Sequence, residues 1–143
     1  MYFDSHAHLD EACFAEDFEE ILAHMAQNQV RGMMNIGCDL PSSERSVALA
    51  ERYDWIWAAV GSHPDDADHV DEARIARYRA LCQNPRVRAI GEIGLDYHYE
   101  DIPREIQKNA FRMRWHRSFP CRSSSTSAKR TRTVCGSSMN SRR

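Results

Sequence analysis

Asp4-Ser5-His6-Ala7-His8-Leu9-Asp10 ends a short N-terminal strand-like stretch on two histidines separated by one residue. In an extended strand the side chains alternate faces, so His6 and His8 point the same way and can present two imidazole nitrogens to one cation. A second stretch, Val87-Arg88-Ala89-Ile90-Gly91-Glu92-Ile93-Gly94-Leu95-Asp96-Tyr97, repeats the plan. An apolar strand runs into a carboxylate, Glu92, set between two glycines, a pattern that marks close approach of backbone to something else. Two imidazoles and a carboxylate suit zinc, manganese or magnesium better than a metal that prefers thiolates.

Between these stretches the chain alternates strand and helix patterns. Residues 1–5 read as a strand, and residues 14–27 read as an amphipathic helix in which Phe14, Phe18, Ile21, Leu22 and Met25 recur at helical spacing. Residues 30–36 form the next strand, and Pro41 opens a helix through residue 53 with Val47, Leu49 and Ala50 inward. Residues 56–61 form a third strand leading into Ser62-His63-Pro64-Asp65-Asp66, followed by a helix over 71–82. Residues 87–93 form a fourth, with a helix starting near Pro103. Such alternation predicts parallel strands joined by right-handed helical crossovers. His6 and His8, His63 and Glu92 all fall just past the carboxyl ends of three different strands, where a (β/α)8 barrel builds its active site. The predicted fold for residues 1–113 is therefore α/β, the N-terminal half of a (β/α)8 TIM-type barrel with about four βα units.

Composition divides the chain. It has 143 residues, 42% of them hydrophobic, and a formal net charge of −2. All 21 acidic residues fall in 1–113, whereas 114–143 hold eight Lys and Arg and no acid. Ser, Thr and Arg at that density predict a disordered basic tail. Five cysteines, Cys13, Cys38, Cys82, Cys121 and Cys135, show no Cys-x-x-Cys spacing and read as reduced, buried or incidental thiols. The N-terminus has no charged-then-apolar leader, and no apolar run approaches the ~20 residues that span a bilayer. The expectation is a cytoplasmic product with no membrane partner.

The order and spacing of Asp4-Ser5-His6-Ala7-His8-Leu9-Asp10, Gly61-Ser62-His63-Pro64 and Gly91-Glu92-Ile93-Gly94-Leu95-Asp96-Tyr97 resemble the TatD family of metal-dependent deoxyribonucleases. Other metal-dependent barrels, amidohydrolases among them, also begin with His-x-His, but the Gly-Glu-Ile-Gly-Leu-Asp-Tyr run looks like TatD. The resemblance implies that His6 and His8 ligate one divalent cation and that Glu92, the catalytic carboxylate, ligates or bridges two. It leaves Mg, Mn and Zn open as the metal and implies DNA as substrate. His63 either touches substrate phosphate or lies behind the ligands, the alternative being a plain loop histidine. Asp4 and Asp96 would orient ligand imidazoles, the alternative being strand-end caps. Trp55 and Trp57 read as packing or rim residues, and His24, His69 and His98 as surface histidines. Tyr97 and Tyr99 sit near the presumed site, where a nucleobase contact is conceivable.

The family pattern continues beyond Met113 with a fifth strand and further ligands, and here the chain departs from it. A shifted reading frame through residues 121–126 is compatible with Val-Pro-Val-Ile-Ile-His, the fifth strand and its ligand, so the tail is expected to be frameshifted. The expected function is metal-dependent hydrolysis of phosphodiester bonds, impaired in this chain, with exposed sheet edges that favour self-association. The alternatives are a metallohydrolase of the same barrel type acting on small amides or phosphoesters, and an inactive fragment that binds nucleic acid through the basic tail.

Overall fold

The computed structural model describes residues 1–99 and 101–115. The readings of 116–143, with the disordered tail, its reading frame, Cys121 and Cys135, lie outside the described residues.

Four parallel strands form one sheet in the order β1-β2-β3-β4, with β1 Tyr2–Ala7, β2 Val30–Ile36, β3 Ile56–Val60 and β4 Val87–Ile90. Each strand is followed by a helix: α1 Phe18–Gln27, α2 Leu40–Arg52, α3 Glu72–Leu81 and α4 Arg104–Trp115. These are the four predicted βα units of a TIM-type half-barrel. The predicted first helix is shorter than its periodicity, because a 3-10 turn at Ala12–Phe14 precedes α1. The predicted fourth strand stops at Ile90, so Glu92 sits in a loop two residues past the strand. At the other end α4 runs to Trp115, two residues past the change in composition.

Local chemistry places the boundaries. Asp39 accepts the Ser42 N–H at 2.6 Å while the Ser42 hydroxyl accepts the Asp39 N–H at 2.9 Å, and Pro41 occupies the first turn of α2. A reciprocal cap of this kind satisfies two amides that the helix itself leaves open, worth roughly 1 kcal/mol for the cap side chain. Asp71 caps α3 through the Arg74 N–H at 2.7 Å.

The core lies on the helix-covered face of the sheet. Met33, Ile56, Ala58, Val60 and Val87 from the strands meet Val47 and Ala50 of α2, Ile75 and Tyr78 of α3, and Cys82 just after it. Strand alternation sends their neighbours to the opposite face, where Phe3 packs on Trp57 at 5.7 Å between ring centroids. The Arg86 guanidinium also lies over Trp57, at 5.4 Å. Trp55 packs against the core, so both tryptophans are packing residues. Among the described residues β1 pairs only with β2 and β4 only with β3, and Phe3 on β1 is 52% exposed. No helix among the described residues is long and apolar enough to cross a membrane.

Candidate metal centre

β1 gains one residue against β2 between the pairs Asp4↔Met33 and Ala7↔Asn35. The strand ends at Ala7, so His8 lies just beyond it. Past that irregularity a buried carboxamide holds the chain. Asn35 on β2 accepts the Leu9 N–H at 2.7 Å and donates to Asp10 Oδ1 at 2.7 Å and to Ser46 Oγ at 2.8 Å. Arg45 of α2 pairs with Asp10 at 3.1 Å. The exit of β1 is thereby tied to both β2 and α2.

His8 Nδ1 lies 2.9 Å from the Ile36 carbonyl oxygen, which can only accept, so Nδ1 carries the proton and Nε2 keeps its lone pair. That Nε2 is 3.1 Å from His6 Nε2, and His6 Nε2 is 3.6 Å from Glu92 Oε2. The three ligand atoms all lie within 4.8 Å of one another. Tetrahedral bonds of 2.0–2.1 Å require neighbouring donors roughly 3.3 Å apart, and the 3.1 Å and 3.6 Å separations around His6 Nε2 lie close to that spacing, so the donor set suits a zinc-sized or slightly larger divalent cation. Glu92 is held by its own backbone, whose N–H donates to the Gly37 carbonyl at 2.9 Å.

The close approach predicted at the glycines around Glu92 falls elsewhere. A Cβ on Gly91 or Gly94 would have no neighbour within 4 Å, whereas a Cβ on Gly61 would come within 2.7 Å of the Gly91 carbonyl carbon. The carbonyl ends of β3 and β4 touch, and the crowding bears on the β3 side. A Cβ on Gly37 would likewise overlap Ser43.

The other predicted site residues occupy different places. Asp4 accepts the His6 backbone N–H at 3.1 Å, a contact with backbone rather than imidazole. Asp96 accepts the His98 N–H at 2.7 Å and its own N–H donates to Gln107 Oε1 at 2.9 Å. His63 opens the 3-10 turn Pro64–His69, its Nδ1 accepting the Asp65 N–H at 3.3 Å, and its ring is not part of the three-residue cluster. Its backbone N–H nonetheless donates to the Cys38 carbonyl at 2.6 Å. His24, His69 and His98 are exposed, as read from the sequence.

Cys38 is the neighbour that sequence reading missed. Its Sγ is 3.6 Å from His8 Nδ1 and 3.9 Å from Glu92 Oε2. Burial, and then the Glu92 carboxylate, push its thiol from 9.0 up to about 12. The available signal was position, since Cys38 follows the end of β2 as His8 and Glu92 follow β1 and β4.

The family model described as TatD related DNase matches residues 3–118. The chain belongs to the TatD-related DNase family. The metal-dependent hydrolase YabD of Bacillus subtilis is 40% identical over 112 residues, covering 78% of this chain and 44% of that protein. The 3'-5' ssDNA/RNA exonuclease TatD of Cronobacter turicensis is 36% identical over 109 residues, covering 76% of this chain and 41% of its own length. Among solved structures, the TatD homologue YjjV of Escherichia coli superposes with a TM-score of 0.72 at 29% identity, over 79% of this chain and 44% of that one. A TatD-family hydrolase of Entamoeba histolytica shares the fold, with a TM-score of 0.71 at 22% identity over 78% of this chain and 44% of its own. The chain thus spans less than half the length of these relatives.

Proposed function

We propose that this chain carries the metal centre of a divalent-cation-dependent phosphodiesterase acting on nucleic acid, with single-stranded DNA as the first substrate to test. The observation that supports this most directly is the convergence of His6 Nε2, His8 Nε2 and the Glu92 carboxylate at donor spacing. A relative named as an ssDNA/RNA exonuclease agrees with it. His6 and His8 would hold one cation, and Glu92 would ligate it and, as the family resemblance implies, share a second. Bound there, the metal would polarise a phosphoryl oxygen and bring a water into its reactive range near neutral pH. The residues supply position. Ile36 orients His8 through its carbonyl, Gly37 orients Glu92 through its backbone, and the Cys38 thiol fills the space behind both. Among the described residues only three donor groups converge, fewer than two cations require, so turnover by this chain alone is expected to be low.

The test is release of nucleotides from single-stranded DNA and RNA by purified chain, first stripped by chelator and then given Mg, Mn or Zn. Release that needs a divalent ion and is lost in His6→Ala supports the reading. Cleavage confined to small phosphoesters or amides would move it to a metallohydrolase of the same barrel, and inactivity toward every substrate with every metal would overturn it.

A further inference from the structure

The described residues of the loop between β4 and α4, 91–99 and 101–103, are tied to α4. Gln107 on α4, 2% exposed, accepts the Asp96 N–H at 2.9 Å and donates to the Ile102 carbonyl at 3.0 Å. One buried amide therefore clamps both limbs of a loop whose outward side chains are aromatic. Tyr97 is 41% exposed and Tyr99 59% exposed, and His98 meets the Tyr99 ring edge-on at 4.7 Å. The Arg104 guanidinium lies over the Tyr97 ring at 4.7 Å. Beside them Tyr99, Ile102, Pro103 and Arg104 line a shallow cavity of about 160 Å3. The two exposed tyrosines, with the Arg104 guanidinium over one of them, offer flat faces of the kind that nucleobases stack on.

Tyr97 and Tyr99 belong to the loop that leaves the carboxyl end of β4, the same loop that carries Glu92. We propose that Tyr97, Tyr99 and Arg104 form a stacking platform that takes the terminal bases of a single-stranded nucleic acid beside the metal centre. This rests on the nucleic-acid reading of that centre. Aromatic rings and guanidinium planes accept any base face, and an arginine next to them adds a cation for phosphate. Within residues 1–113 the charge balance favours stacking, because 21 acidic residues stand against 11 Lys and Arg and the field of this region repels a polyanion. The eight Lys and Arg of 114–143 attract base-bearing and abasic strands alike. A platform that works through base faces also discriminates single strands from duplex, in which those faces are covered.

The experiment is fluorescence anisotropy of the full chain, with chelator present to prevent cleavage. It compares a labelled oligothymidylate with an abasic deoxyribose-phosphate strand of the same length. The unaltered chain should bind the base-bearing strand about 10-fold more tightly, Tyr99→Ala should remove that preference, and Tyr99→Phe should keep it. Tyr97→Ala provides a second variant at the same platform. Equal or undetectable binding of both strands by the unaltered chain, or a preference that survives both alanine substitutions, overturns the platform. Divalent-dependent nucleotide release is measured in parallel. Release without base preference removes the platform alone, and base preference without release removes the hydrolytic function and leaves the platform standing.

Discussion

His8 turns its back to the Ile36 carbonyl at 2.9 Å, and that single contact leaves Nε2 as the nitrogen able to face a metal. His8→Ala removes a donor, while His6→Ala removes its neighbour at 3.1 Å, and the cluster then has two ligand groups instead of three. Loss of residues that merely support ligands costs roughly 10–100-fold in metal affinity. Each alanine variant should exceed that range in zinc or manganese titrations by calorimetry, with folding unchanged by circular dichroism because His6 is exposed and His8 only half-buried.

Asn35 is completely buried and serves three partners at once. In Asn35→Leu the Leu9 N–H and the Asp10 carboxylate lose their partner at the point where β1 leaves the sheet. An unsatisfied buried polar group costs about 1–3 kcal/mol, so a loss of about 2–5 kcal/mol in urea denaturation is expected after allowing for the Arg45 pair that Asp10 keeps. Metal affinity should fall as well, because His8 precedes the anchored residue. A variant of unchanged stability would show that Asn35 does not hold this corner.

Gly61 and Gly94 separate two meanings of a glycine near the site. Gly61→Ala drives a methyl group to within 2.7 Å of the Gly91 carbonyl carbon, so the ends of β3 and β4 must part and Glu92 moves with them. Overpacking of this kind typically costs about 1–3 kcal/mol, and it should weaken metal binding too. Gly94→Ala meets nothing within 4 Å and should fall within about 0.5 kcal/mol of the parent. Paired denaturation and metal titrations of the two variants check both statements.

Sequence pattern sufficed for the four βα units because short apolar runs alternate with longer helical segments, and three of the four strands contain or lead within three residues into a residue of metal chemistry, His6 and His8 at β1, His63 after β3 and Glu92 after β4. His6, His8 and Glu92 were legible for the same reason. What was not legible depends on distance across the fold. Nothing in the local pattern distinguishes Gly61, which is crowded, from Gly91, which is not, since the crowding arises where β3 and β4 meet. Cys38 reads as an incidental thiol until β2 is laid beside β1, which sets it against His8 and Glu92. Asp4 resembles an imidazole partner by proximity, yet that part is taken by a backbone carbonyl thirty-two residues away, on Ile36.

The thiol of Cys38 ties stability to alkaline pH. Its value in the folded chain is raised from 9.0 to about 12, chiefly by burial and then by Glu92, so above pH ~9 the unfolded chain gives up a proton that the folded chain keeps. The folded state then binds more protons than the unfolded one, and stability contributed below about pH 9 drains away as pH rises toward 12. Cys38→Ala has no thiol to titrate, so its urea midpoint should decline less between about pH 8 and pH 10.5 than that of the parent. The comparison is made between the two slopes in chelator-treated protein, because a bound cation would draw the thiol into its own field. Parallel slopes would remove Cys38 as the group responsible and leave alkaline loss to the tyrosines and lysines.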